Sequence, residues 1–237
     1  MQRISEHVYW LPPGPPDRPS LAAVVGARRT LMLDAGSSAV HSRLFLDGLA
    51  AEVVGPPGFV VLTHSHWDHV FGAVELAVPV VAHKLTAEAL GELAATDWSD
   101  GALDRRVAAG EASPEHAANV KEELPSPRTV RIAPADIVFH VELDFDLGDV
   151  AVQVRHVGGD HAADSSVMYV EPDRVLFLGD CLYEAPSGGY TAERLARLTV
   201  AVLAFDAELY VEGHSETVLS RAEIDEILGE ASHGAAR

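Results

Sequence analysis

Short apolar runs closed off by glycine, proline and aspartate recur along this chain, and they alternate with longer segments of helical composition. Leu21 to Val25 and Thr30 to Leu33 are rich in β-formers and flank Gly26-Ala27-Arg28-Arg29, which predicts a hairpin. Ser166 to Val170 and Val175 to Leu178 repeat the pattern around Glu171-Pro172-Asp173-Arg174. Leu147-Gly148-Asp149-Val150 reads as the turn between strands at Val141–Leu147 and Val150–Val157. Further strands are expected at Phe59–Leu62, Val78–Ala82, Ile137–Phe139 and Glu208–Val211. Ile4 to Trp10 alternates loosely and runs into Pro12, Pro13, Pro15, Pro16 and Pro19, an expected extended loop because proline cannot donate to a ladder.

Between the strands, Asp34-Ala35-Gly36-Ser37-Ser38 ends one run and offers a cap to a helix across roughly 38–50. Val70–Leu76, Thr191–Ala204 and residues 221–230 also read as helical. Residues 84–125 carry alanine, glutamate, leucine and lysine in two or three helical pieces, with breaks expected near Gly101 and Ser113-Pro114. Strand groups with helices on both sides predict a layered α/β fold with covered sheets. Residues 1–237 are expected to form one domain, with a helical insert at about 84–127.

Composition narrows the function. With 48% hydrophobic and 22% charged residues the chain has the balance of a soluble globular protein. No run approaches the ~18 apolar residues of a membrane span. The start Met1-Gln2-Arg3-Ile4 is too polar for a secretory signal, and the single cysteine, Cys181, permits no internal disulfide. A cytoplasmic location is the expectation. The formal net charge of −19 repels phosphate backbones, so neither a nucleic-acid partner nor a membrane is expected.

The densest chemistry lies in Thr63-His64-Ser65-His66-Trp67-Asp68-His69. Imidazole nitrogen and carboxylate oxygen suit zinc, iron or manganese. His64 and His66 project to one side of an extended segment, while Asp68 and His69 can turn toward a second position. Burying this group without a cation would strand several polar atoms, at a cost of several kcal/mol. A cluster this dense calls for two metal ions. Three more donors follow strands beside glycine: His161 after Gly158-Gly159-Asp160, Asp180 after Gly179, and His214 after Gly213.

Taken in order, Leu33-Asp34-Ala35-Gly36, the His-x-His-x-Asp-His run, His161, Asp180 and His214 make the chain resemble the metallo-β-lactamase fold superfamily over nearly its whole length. The resemblance implies a four-layer αββα sandwich with a metal centre where strand ends meet. It implies that His64, His66 and His161 hold one metal, that Asp68, His69 and His214 hold another, and that Asp180 bridges them. Two zinc ions are the implied cofactors, with iron or manganese able to take the same donors. Asp34 resembles a buried aspartate that orients the ligand loop; a plain helix cap at a strand end is the other reading of it.

In the dizinc β-lactamases of that superfamily closest to antibiotic resistance, the residue aligned with this bridging position is a cysteine. Here Asp180 stands at that position with Cys181 one step on, and neighbours on an extended chain point opposite ways. Asp180 is therefore expected as the ligand and Cys181 as a small core residue, which favours the glyoxalase-II-like and lactonase-like branches. The function implied is a dinuclear hydrolase in which a metal-bridging hydroxide attacks the carbonyl of a small ester, thioester or lactone. Asp68 is then catalytic as well as a ligand, and Tyr183, three residues after Asp180, resembles a donor to the substrate oxygen. The chain stops about two dozen residues after His214 without the helical domain by which glyoxalase II proteins grip glutathione, so glutathione thioesters are not expected. The rivals are a mononuclear iron oxidoreductase of the persulfide dioxygenase type and a β-lactam hydrolase. Loops 11–20 and 184–190 are candidate substrate flaps, and Trp10 and Trp67 are candidate pocket walls or packing residues. The helical insert is a candidate lid or homo-oligomer surface. His83 reads as an ordinary loop residue near the pocket, and the remaining histidines match no motif.

Overall fold

Two β-sheets, one from each half of the chain, face each other in the computed structural model, which describes residues 1–235. The first contains β1 (Gln2–Arg3), β2 (Val8–Leu11), β3 (Leu21–Val25), β4 (Thr30–Leu33), β5 (Phe59–Val61), β6 (Val80–His83) and β7 (Ile137–Phe139), side by side in chain order. Its early strands pair antiparallel through short turns, whereas β4 to β7 pair parallel. Parallel neighbours need crossovers, and helices supply them. These are α1 (Ala39–Ala51), α2 (Trp67–Val70) with α3 (Ala73–Leu76), then α4 (Lys84–Ala95), α5 (Asp100–Ala108) and α6 (Pro114–Glu123). The second sheet is ordered β13 (Leu219–Ser220), β12 (Leu209–Glu212), β11 (Val175–Gly179), β10 (Ser166–Glu171), β9 (Ala151–His156) and β8 (Glu142–Asp146). Helix α7 (Ala192–Leu203) crosses between its parallel pair β11 and β12, and α8 (Arg221–Ala235) follows β13.

The period-2 alternation of each strand now has two apolar destinations. Ala22, Val24, Leu31 and Leu33 face Val152, Val154, Met168 and Val170 between the sheets. Leu21, Ala23, Met32 and Val60 point the other way, onto Phe45, Leu49, Leu90 and Leu103 of the helices. On the far side Val167, Tyr169, Leu176 and Tyr210 pack against Leu195, Leu198 and Val202 of α7 and Ile224 and Leu228 of α8. Strands covered on both faces read as unbroken apolar runs, which is why β3, β4 and β11 lack a polar face. The result is the four-layer αββα sandwich. Among the described residues no helix is long and apolar enough to cross a membrane.

Local chemistry moved several expected boundaries. Helix α1 is capped by Ser38, whose hydroxyl accepts from His41 N at 3.1 Å, so Asp34 is not a cap. Gly101 lies inside α5; the break falls earlier, where Ser99 accepts from Ala102 N at 3.3 Å. A capping hydroxyl outweighs one exposed helical glycine. Ser113 and Pro114 open α6 as expected, with proline in the first turn where a missing N–H costs nothing. The stretch Val70–Leu76 divides between α2 and α3, and α2 already begins at Trp67. The proline-rich loop closes on itself through reciprocal Gly14–Arg18 backbone bonds of 3.0 and 2.8 Å, so it is not extended. Strands β1 and β13 are two residues each, too short to leave a periodic signal.

Candidate metal centre

Strand ends from both sheets deliver seven donors to one edge of the sandwich. Beyond β5 the chain runs through Thr63 to His64 and His66, then turns into α2 with Asp68 and His69. From the second sheet, His161 follows β9, Asp180 follows β11 and His214 follows β12. The donors fall into two groups, His64-His66-His161-Asp180 and Asp68-His69-Asp180-His214, and within each the candidate atoms all lie within 4.8 Å of one another. Asp180 belongs to both.

Its Oδ2 is the hub. It lies 3.3 Å from His69 Nε2, 3.4 Å from His161 Nε2, 3.5 Å from His214 Nε2 and 3.8 Å from His64 Nε2. Asp68 Oδ2 sits 3.1 Å from His214 Nε2 and 3.4 Å from His69 Nε2. His66 Nδ1 meets His161 Nε2 at 3.0 Å, an approach of two ring nitrogens that needs a proton or a cation between them.

Asp34 fixes the first-sheet side. Its carboxylate accepts from Thr63 N at 2.7 Å, Thr63 Oγ1 at 2.8 Å and His69 Nδ1 at 2.7 Å. Because Thr63 gives its hydroxyl proton to Asp34, its oxygen is left to accept from His64 Nδ1, 3.0 Å away. Both rings are thereby held with Nε2 as the free lone pair, aimed at Asp180. His64 Nε2, His69 Nε2 and Asp180 Oδ1 are buried atoms without a hydrogen-bond partner among the described residues. Orphaned lone pairs on fully buried side chains cost free energy unless something positive satisfies them, and this donor set fits a pair of dications.

Proton affinities carry the same message. Burial disfavours a charged His214, yet its hydrogen bonds to Asp180 and Asp68 outweigh that and raise it to about 10. Burial likewise opposes ionisation of Asp180, but the neighbouring His69 holds its carboxyl well below the usual range. His64, fully buried and beside His69, is pushed well below the ordinary imidazole value. These carboxylates attract positive charge strongly, and a bound cation would displace the protons they gather.

Backbone geometry sets the shared carboxylate. A Cβ on Gly213 would fall 2.0 Å from Asp180 Oδ1, so only glycine leaves it room. Gly179 adopts φ +53°, in the left-handed region, and a Cβ there would press on Thr63 at 2.8 Å. Strand β11 ends at that glycine, and Tyr183 N donates to Asp180 O at 2.9 Å across a turn. The expected alternation along an extended chain therefore does not apply at Asp180-Cys181. The turn itself sends Cys181 into the outer core beside Leu178 and Leu182. Burial raises its thiol well above the usual value.

Above the centre opens a cavity of about 1130 Å³. Tyr183 lines it, and its hydroxyl oxygen accepts from His214 N at 3.1 Å, leaving the phenolic proton to donate elsewhere. Burial, then Glu212, raises that phenol, so the proton stays on. Glu212 itself, buried near Asp180, is raised to about 7. The insert forms one wall through α4, Trp98, the 110–113 turn and His116. Loop 184–190 contributes Glu184, Pro186 and Ser187, but of loop 11–20 only Asp17 reaches the cavity. Trp67 lines it while packing in the helix-side core, whereas Trp10 is buried between the sheets and is no pocket wall. His83 is structural: Nε2 donates to His140 O at 3.0 Å, and the ring stacks on His156 at 3.7 Å. Trp98, His116 and Asp17 had no motif to announce them.

A family model described as the metallo-beta-lactamase superfamily matches residues 15–223. No curated protein sequence matches. Among solved structures, the metallo-beta-lactamase from Pontibacter korlensis is 17% identical with a TM-score of 0.68, over 100% of this chain and 98% of that one. The BLEG-1 B3 metallo-beta-lactamase is 22% identical with a TM-score of 0.64, over 92% of this chain and 96% of that one. A B3 metallo-beta-lactamase described by its active-site glutamic acid is 15% identical with a TM-score of 0.67, over 99% and 88%. At such identities the likeness extends to fold alone.

Proposed function

The chain belongs to the metallo-beta-lactamase superfamily, and from that premise we propose that it is a dinuclear metallohydrolase acting on the carbonyl of a small ester, thioester or lactone. One observation carries the reading: Asp180 is common to two donor groups in which His64 Nε2, His69 Nε2 and Asp180 Oδ1 find no hydrogen-bond partner among the described residues. His64, His66 and His161 would hold one ion, and Asp68, His69 and His214 the other. Zinc is the proposed metal, and iron or manganese suits the same donors. The chain is read as one domain with residues 84–127 inserted as a cavity wall.

Two dications held there would supply Lewis acidity, lowering the pKa of a water toward about 7 and polarising a carbonyl oxygen. The chain's own residues do the rest. Asp68 is fully buried, and His69 and then His214 outweigh that burial to keep it ionised, so it can take a proton from the attacking water. Water oxygen bonds to the acyl carbon, the bond to the departing oxygen or sulfur breaks, and the proton passes to that leaving atom. Tyr183 keeps its own proton and donates a hydrogen bond to the substrate oxygen as negative charge develops. The buried floor excludes bulk water from the donors.

A single-iron oxidoreductase needs one such donor group and leaves the other without a role. The test is metal quantification with a panel of aryl esters, thioesters, lactones and β-lactams. The expected result is two metals per chain and ester or lactone turnover that chelation removes and zinc restores. One iron per chain with oxygen uptake, or turnover of β-lactams alone, contradicts the proposal.

A further inference from the structure

We propose that the cavity selects substrates carrying a positive charge on an apolar arm, and that Glu92, Glu111, Glu184 and Asp17 set this preference; the inference rests on the hydrolytic reading above. Apart from the donor set, all four of these carboxylates line the cavity, and among the described residues neither lysine nor arginine does. Among the described residues Glu92 and Glu111 carry no side-chain hydrogen bond or ion pair. Among the described residues the Glu184 carboxylate accepts only from Gly189 N, at 3.0 Å, and Asp17 faces His214 Nδ1 at 3.8 Å beside a hydrogen bond to Asn119. Guanidinium groups on adjoining segments are each engaged by the protein, Arg106 by the same Trp98 that lines the cavity. Arg106 lies over Trp98 at 4.9 Å and bonds to Asp97 O, Arg105 pairs with Asp97, and Arg18 pairs with Glu123 at 2.9 Å.

Exposed acids alone would mark only a solvated face. Here they ring a built site. The cavity floor is the donor set itself, and its walls include Trp67, Leu93 and Trp98, one face of which Arg106 covers. Aromatic faces attract ammonium groups, and the net charge of −19 extends the same attraction to longer range. A carboxylate-bearing substrate, such as a β-lactam nucleus or glutathione, meets the opposite condition. Anion recognition relies on arginine or lysine forks, and this wall has none.

At separations of about 10 Å in water each carboxylate favours a cation about twofold, and with salt screening four of them give about two- to threefold overall. The test uses three acetate esters of similar size on the zinc-loaded protein. Their alcohols end in trimethylammonium (choline), in neutral tert-butyl (3,3-dimethylbutanol) and in sulfonate (2-hydroxyethanesulfonate). The expected kcat/KM falls in that order, about two- to threefold at the first step, with the spread narrowing in high salt. In a Glu92→Gln/Glu111→Gln variant the cation-to-neutral ratio moves toward one. Turnover of all three at equal rates overturns the charge preference while hydrolysis stands. If none is turned over, tryptophan fluorescence titration with benzyltrimethylammonium against benzenesulfonate decides. Tighter ammonium binding supports the cavity assignment and counts against hydrolysis of simple esters, whereas equal or tighter sulfonate binding overturns it.

Discussion

The two sheets feed the same centre in different ways. The first sheet supplies four donors from one strand-to-helix junction and buries all but the half-buried His66: the side chains of His64 and His69 are 0% exposed, His64 tied through Thr63 to Asp34 and His69 bonded to Asp34 directly. The second sheet supplies three donors from three separate loops, and its histidines are open, His161 at 17% and His214 at 28% of side-chain exposure. His161 Nδ1 rests on a single backbone carbonyl, that of Glu184, at 3.3 Å. One half is thus a rigid floor, the other the face that meets the cavity. Precision comes from the buried half and access from the exposed half.

That contrast can be broken most severely at its meeting point. Asp180→Ala removes a donor from both groups, so metal content should fall from two per chain to one or none. The loss in kcat/KM should be at least about 10³, beyond the 10–100-fold typical of residues that only orient ligands. His214→Ala should spare the ion among His64, His66 and His161, which elemental analysis would detect. Next come the two supports. Asp34→Ala frees His69 and Thr63 and should weaken metal affinity by about 10–100-fold, read by competition with a chelator. Gly213→Ala drives a methyl onto Asp180 and should disturb both ions together, whereas Asp34→Ala should release first the ion that His69 holds. Tyr183→Phe tests the open side: kcat should drop about 10–100-fold with both metals retained, since only a donor to the developing charge is lost.

The smallest effect lies behind the floor, at buried His41 in α1. Burial, and then the nearby Arg18, lowers this imidazole to about 3. The unfolded chain, with an ordinary value near 6.5, binds the proton more readily than the folded one between those limits. Stability contributed by neutral His41 is therefore complete above about pH 6.5 and declines toward pH 3, by up to ~1.4 kcal/mol per pH unit. Urea unfolding across that range should give a flatter curve for His41→Asn than for the parent protein.

Legibility in the sequence followed the same division. Six consecutive residues made the first-sheet donors readable at once, because strand and helix periodicity alone bring His64, His66, Asp68 and His69 together. His161, Asp180 and His214 are separated by whole strands, so only their order and the glycines beside them pointed to one site. The sequence favours Asp180 over Cys181 as a candidate donor through alternation along a strand, whereas a turn beginning at Gly179 does the separating. Asp34 combines φ +57° with three accepted hydrogen bonds, and no local pattern records either. The cavity walls were least visible. Trp98, His116 and Asp17 reach the site because the insert docks through contacts such as Arg18–Glu123, 105 positions apart in the chain. Such tertiary pairings leave no periodic trace.

The central claim is that Asp180 joins two metal sites, and crystals of the zinc-loaded protein measured across the zinc absorption edge test it most directly. The account predicts two anomalous peaks per chain, one among His64, His66 and His161 and one among Asp68, His69 and His214, each within bonding distance of Asp180. A single peak, or two peaks of which one lies away from Asp180, would contradict it.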